Sequence, residues 1–179
     1  MRKKSLEEQL QEQAHHTDRP RHPIVGVLDN IRSVYNVGAI FRTADAVRLQ
    51  ELVLCGMTAR PPRPDIRKTA LGAEESVPWR YRESTEEAVR ALKSRGFQIA
   101  ILEQTDESVD LWDARFQFPL ALVVGHEWYG VSENVLPLAD LAISIPMYGA
   151  KTSLNVSVAF GIAAYAALQR WLAEQKQRD

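Results

Sequence analysis

Residues 148–160 read YGAKTSLNVSVAF. They join two apolar runs, LAISIP at 141–146 and GIAAYAALQRW at 161–171, where a short turn would be enough. Instead, Ser153, Asn155 and Ser157 recur at every second position between aliphatic residues. An extended segment would put these polar groups on one side and turn Leu154, Val156 and Val158 toward a core. A helix would put Ser153 and Ser157 on one face with Phe160. In either conformation the hydroxyl and amide groups enter a largely apolar setting and need hydrogen-bond partners.

Outward from this stretch the chain alternates. IVGVLDN (24–30) has a strand pattern, VGAIFRTADAV (37–47) a helix and ELVLCG (51–56) a strand. STEEAVRALKSRG (84–96) predicts a capped helix ending at Gly96, and FQIAILEQ (97–104), LALVVG (120–125) and LAISIP predict strands. A last helix is expected from Ser157 to about Ala173. Short aliphatic strands alternating with helices predict an α/β fold with a mostly parallel sheet flanked by helices. Ligands of such sheets bind beyond the carboxyl ends of the strands, so chemistry is expected in the loops after Asp29, Val124 and Ile145. Residues 1–22 form a polar amino-terminal extension with a weak helical pattern in LEEQLQEQ, and residues 23–179 form one domain.

The chain has 179 residues, 45% hydrophobic and 25% charged, which suits one well-buried domain. No apolar run approaches the roughly 20 residues of a membrane span, and the basic start MRKK is followed by no hydrophobic segment. A cytoplasmic protein without a membrane partner is expected. Cys55 is the only cysteine and sits in a strand-like run as a buried thiol; the four histidines show no metal-ligand spacing, so no metal is expected. The net charge of −1 gives no global basic field, yet Arg60, Arg63, Arg67 and Lys68 gather around the proline-rich ARPPRPDIRK.

Two other loops carry unusual residues. In NIRSVYNVGAIFRTADA (30–46), Asn36 is placed to cap a helix and Gly38 to allow close backbone approach. Arg42 then falls near the positive end of the helix dipole, which fits either an anionic partner or a surface pair with Asp45. In VVGHEWYGVSENV (123–135), Gly125 and Gly130 bracket Glu127, which lets a ligand lie near the main chain beside one carboxylate, and Ser132 is expected to cap a short helix.

Together the three loops resemble the signature motifs of the SpoU (TrmH-type) RNA 2′-O-ribose methyltransferases of the SPOUT superfamily. The likeness runs from about Ile24 to Trp171. It rests on N-x-G-x-x-x-R-x-A-D at Asn36–Asp45, G-x-E-x-x-G-x-S at Gly125–Ser132 and I-P-M-x-G-x-x-x-S-L-N-V-S-V-A at Ile145–Ala159, with a weaker match in KTALGAEESVPW at Lys68–Trp79. The resemblance implies a carboxyl-terminal trefoil knot that holds S-adenosylmethionine, and a homodimer through the knot and the last helix. It implies catalytic positions at Asn36, Arg42, Glu127, Ser153 and Asn155, and cofactor contacts at Leu102, Gly125, Ile145, Met147, Ser153 and Leu154. An RNA substrate follows, transfer RNA ahead of ribosomal RNA, with the basic cluster Arg60, Arg63, Arg67 and Lys68 as its contact. The chain departs from the family at His126, where small residues are common, and at Trp128 and Tyr129, which set bulky rings beside Glu127. These rings fit either a stacked base or packing over the cofactor. A base methyltransferase and an RNA-binding protein without turnover are the rival readings.

Overall fold

Strict alternation along the first strand builds both faces of the sheet at once. Ile24 and Leu28 point into one core layer and Val25 and Val27 into the other, all without solvent contact. The computed structural model describes residues 1–17 and 19–178. Its strands are β1 (His22–Asp29), β2 (Leu49–Cys55), β3 (Trp79–Arg82), β4 (Gln98–Leu102), β5 (Val109–Asp110), β6 (Leu120–Val124) and β7 (Leu141–Ser144). They form one sheet in the order β3-β2-β1-β6-β4-β7-β5, and every strand pairing is parallel. Central β1 and β6 are the most aliphatic, as strands covered on both faces must be.

The helices are α1 (Leu6–Thr17), α2 (Val34–Ala46), α3 (Pro64–Ala70), α4 (Ala73–Ser76), α5 (Thr85–Ser94) and α6 (Val156–Arg178), with a 3-10 turn at Leu136–Leu138. Helices α2, α3 and α6 cover one face, where Phe41 and Phe160 are the largest buried side chains, each worth about 1.5–3 kcal/mol of transfer free energy. Helix α5 and the segment after β6 cover the other face through Ala88, Val89, Leu92, Val131 and Val135. Gly38 lets α2 lie directly on α3: a Cβ there would stand 2.5 Å from the Ile66 carbonyl. The close approach expected of this glycine is therefore made to a neighbouring helix. Helix α1 lies on the surface with Leu6 and Leu10 exposed, carrying the ion pairs Arg2–Glu8 and Lys4–Glu12.

The structure corrects three local expectations. Helix α6 continues to Arg178, past the predicted end at Ala173, and is by length and composition able to span a membrane. Phe160, Ala163, Ala164 and Ala167 nevertheless lie in the core of the sheet. Residues 148–155 are neither strand nor helix, and Leu154 and Val158 face outward. Ser132 caps no helix; its N–H donates to Asp29 at 2.7 Å, and the following 3-10 turn begins from Val135 without a side-chain cap.

Candidate functional site

The site is assembled from loops at the carboxyl ends of β1, β4, β6 and β7. Asp29, fully buried at the end of β1, accepts hydrogen bonds from the Thr85 hydroxyl at 2.6 Å, the Asn30 amide at 2.9 Å and the Ser132 N–H. A single carboxylate thus ties the end of β1 to the start of α5 and to the loop after β6. A buried charge is tolerated only with such partners.

At the amino terminus of α2, Ser33 is the cap: its side chain accepts from the Asn36 N–H. Asn36, expected in that role, sits in the first turn with its amide free for other use. That use is Glu127. Its carboxylate accepts from the Arg32 N–H at 2.9 Å, the Ser33 N–H at 2.9 Å and the Asn36 side-chain amide at 2.8 Å. The positive end of the α2 dipole is therefore occupied by a carboxylate from the same chain. Burial pushes the Glu127 carboxyl up, but these hydrogen bonds outweigh it and hold it below the usual carboxylate range.

Glu127 is presented by a tight hairpin. His126 and Gly130 exchange two backbone hydrogen bonds of 2.9 Å. Gly125 lies so close to the returning strand that a Cβ would stand 2.1 Å from the Gly130 carbonyl carbon. The His126 ring, unusual at its position, closes the turn by accepting the Trp128 N–H at Nδ1, 3.0 Å away. Glu103, at the end of β4, accepts the Val131 N–H at 2.9 Å and pins the hairpin from the other side.

The loop 148–155 completes the arrangement. Gln104 donates to the Thr152 carbonyl at 2.7 Å. Asn155 accepts the N–H groups of Ser157 and Val158 in the first turn of α6, and its amide donates to the Asn36 side chain at 3.1 Å. The polar residues of the opening stretch thus find two different partners. Asn155 caps a helix and joins a chain Asn155–Asn36–Glu127, while Ser153 lines the adjoining cleft.

That cleft measures about 340 Å³. Its walls contain all six residues expected to touch a cofactor, Leu102, Gly125, Ile145, Met147, Ser153 and Leu154, together with Glu127 and Asn155. Glu103, Gln104 and Trp128 also line it. Glu103 and Gln104 carry no motif signal in the sequence; their place beyond the end of β4 is the signal that points to both.

Arg42 is not brought into the cleft. It lies exposed in a separate depression with Thr43, Lys68, Thr69, Leu71 and Tyr165, between α2, α3 and α6. The pair with Asp45 does not form: Asp45 accepts from the Ser76 hydroxyl at 2.6 Å instead, and among the described residues Arg42 has no ion pair or hydrogen bond. Within the basic cluster, Lys68 pairs with Asp65 at 2.8 Å and Arg67 approaches Glu75 at 3.9 Å. Arg60 lies over the Tyr81 ring at 4.1 Å, and Arg63 precedes α3. Cys55 is buried, which pushes its thiol up to about 12. Among the described residues no group of three His, Cys, Asp or Glu side chains could hold a metal ion.

Comparison with known proteins matches residues 23–165 to the model of the SpoU rRNA Methylase family. The chain is 35% identical over 177 residues to the tRNA (guanosine(18)-2′-O)-methyltransferase of Aquifex aeolicus, covering 97% of this chain and 79% of that protein. The crystal structure of the A. aeolicus TrmH/SpoU tRNA modifying enzyme superposes with a TM-score of 0.82 at 31% identity, covering 95% of this chain and 86% of the other. The SpoU methyltransferase AviRb from Streptomyces viridochromogenes, solved with the cofactor AdoMet, superposes with a TM-score of 0.77 at 28% identity over 86% of this chain and 62% of the other.

Proposed function

Because the chain belongs to the SpoU rRNA methylase family, we propose that it methylates a ribose 2′-hydroxyl of RNA with S-adenosylmethionine as the methyl donor. The observation that carries this reading is the convergence of Leu102, Gly125, Ile145, Met147, Ser153 and Leu154 on one cleft, bordered by the Asn155–Asn36–Glu127 chain. The cleft suits the cofactor. Its size is that of a small-molecule site, Leu102, Ile145 and Leu154 offer apolar walls to a flat ring, and the Glu103 carboxylate complements a cation. When bound, the cofactor supplies a methyl group already activated on a sulfonium.

The chain's own residues hold and orient. Glu127 is ionised, bound by three donors and held at a low pKa, so it is a poor proton acceptor and a good anchor for the hairpin. The Arg42 guanidinium has no partner among the described residues, and its fork of N–H donors suits it to clamp a substrate phosphate. The 2′-hydroxyl proton then leaves to water, and positioning supplies much of the rate.

A homodimer accounts for two features left open by the single chain. Val158, Tyr165 and Leu172 are exposed at intervals of seven along α6, an apolar stripe suited to a second helix. Arg42 shares its depression with Tyr165, so a copy docked on that stripe would lie beside this cation. Residues 148–160 are the segment we assign to the family's knot. Light scattering coupled to size exclusion should give twice the 20.2 kDa of the chain; a stable monomer at micromolar concentration would sink the dimer reading. Transfer RNA is favoured as substrate because the Aquifex relative matches 97% of this chain; ribosomal RNA is the alternative, and mapping lost ribose methylations in RNA from a deletion strain decides between them.

The reaction itself is tested with labelled S-adenosylmethionine and unmodified transcript RNA, followed by alkaline hydrolysis. A 2′-O-methyl group removes the nucleophile that cleaves the adjacent phosphodiester, so the label should appear in an alkali-resistant dinucleotide. Label in mononucleotides would mean base methylation and overturn the proposal.

A further inference from the structure

At the cleft and in the loops beside it stand aromatic side chains that the chain leaves largely uncovered. Trp128 is 80% exposed, Tyr129 87% and Tyr148 95%. Such exposure of large rings is costly on a surface with no use for it. These rings do not sit at loose tips. Trp128 and Tyr129 are two of the three turn residues of the His126–Gly130 hairpin, which is closed by two backbone bonds, by the His126 ring and by the anchored Glu127. The His126 ring also lies against Tyr129, with centroids 4.9 Å apart. Trp128 itself lines the cleft, and Tyr148 is in the loop whose Met147 and Thr152 line it too.

Cations accompany the rings. Arg32, whose N–H holds Glu127, and Lys151, in the same loop as Tyr148, are exposed and form no ion pair among the described residues. The carboxylate next to Trp128 in the chain, Glu127, is turned inward onto α2. Exposed planar rings interleaved with free cations are what an unpaired nucleic-acid strand requires: each base has a π-face to stack, and each phosphate needs a positive neighbour. A base within a duplex is already stacked on both sides and offers no free face.

We propose that Trp128, Tyr129 and Tyr148, with Arg32 and Lys151 beside them, form a stacking surface for unpaired bases flanking the methylated ribose, so that the enzyme acts on single-stranded or loop RNA and not on helical RNA. This rests on the reading of the protein as an RNA methyltransferase. Trp128 is the positioning residue of the group because it alone of the three rings borders the cleft. The other use open to an aromatic ring there is to cover the cofactor, and the two uses separate cleanly: a stacking ring affects RNA affinity and KM, whereas a covering ring affects cofactor affinity.

The test uses the full chain, S-adenosylhomocysteine, an unstructured RNA of about eight nucleotides, within the span one such groove covers, and the same strand annealed to its complement. Tryptophan fluorescence follows RNA binding and calorimetry follows the cofactor product. The native chain should bind the unpaired strand at least about tenfold more tightly than the duplex, with quenching, on the scale of one base stack. Trp128→Ala should remove that preference and the quenching and raise KM for substrate RNA, leaving S-adenosylhomocysteine affinity unchanged; Trp128→Phe should retain most of the preference. Equal affinity of the native chain for both RNA forms overturns the inference, as does loss of S-adenosylhomocysteine affinity in Trp128→Ala, which would make the ring a cofactor cover. If the native chain binds S-adenosylhomocysteine but shows no preference for unpaired RNA, only this inference fails; if it binds neither, the methyltransferase reading fails with it.

Discussion

The turn around Glu127 and the outer face of α6 differ in how far one chain completes them. At the turn the carboxylates have found partners: Glu127 holds three donors, Asp29 three, and Glu103 pins the returning strand. On the outer face of α6, Val158, Tyr165 and Leu172 are bare, and the neighbouring Arg42 has no partner. The cofactor half of the site is thus preformed by internal hydrogen bonds. The face around Arg42 and the outer side of α6 is left open by the single chain. A preformed pocket loses little on binding small molecules, whereas an open face is where ordering and selection take place.

The sharpest way to break this contrast is to put a side chain into the rigid half. In Gly125→Val the new Cβ would stand 2.1–2.2 Å from backbone atoms of Gly130 and Val131. Backbone cannot swing aside as a flexible side chain can, so the hairpin must open. We expect S-adenosylhomocysteine affinity to fall by roughly 100-fold or more and stability by about 1–3 kcal/mol, the scale of overpacking. Gly149→Ala is the matched control in the open loop, where nothing lies within 4 Å of the added Cβ. It should leave both calorimetric affinity and melting temperature at native values. Similar losses in both variants would show that the two regions are equally constrained.

Arg42→Ala probes the open half. A cation bound to nothing within the chain contributes nothing to the fold that its removal could take away, so the melting temperature and S-adenosylhomocysteine affinity should not move. Turnover should fall by roughly 100- to 1,000-fold, the range for loss of one group that stabilises transition-state charge. A parallel loss of cofactor affinity would place Arg42 with the cleft after all.

The same contrast governs what could be read from the sequence. Strands β1, β2, β4, β6 and β7 and helices α2, α5 and α6 are written in local periodicity, because each buries a face of its own. Short β3 and β5 are not, since four and two residues carry no period. Asn36 was misplaced as a cap because its nearest competitor, Ser33, has the same chemistry three residues earlier, and only the long-range bond to Glu127 separates their roles. Asp29, Glu103 and Gln104 gain their importance from partners between 28 and 103 residues away, apart from the local bonds to Asn30 and Gln104. No window along the chain displays such pairings. The six residues that converge on the cleft and the Asn36–Glu127–Asn155 group were legible only as motifs; Arg42 carries the same kind of motif signal and lies apart from them, because a motif records residue types and not their positions in space.

The smallest expected effect concerns the charge on Glu127. In the folded chain its carboxyl lies below its ordinary value of about 4.3, burial being outweighed by the bonds from Arg32, Ser33 and Asn36. A carboxylate with a lowered folded pKa favours the folded state when ionised. Its contribution is fully present above the unfolded value and is lost as pH falls through the folded one. Glu127→Gln keeps the shape, accepts at one oxygen and sets an amide against an N–H at the other. At neutral pH it should cost about 1–3 kcal/mol, the penalty for a hydrogen-bonding group left without its partner. Only once the pH has fallen through this lowered folded value is native Glu127 itself neutral, so urea midpoints of the two proteins should converge in strong acid. Asp65, Glu86 and Asp140, also held low by their partners, titrate in both proteins and cancel from the difference. A gap that stays constant across pH would show that Glu127 acts through shape alone. A substitution on the bare α6 face, such as Tyr165→Phe, should give no pH-dependent gap, which is the difference between a region locked by charge and one awaiting a partner.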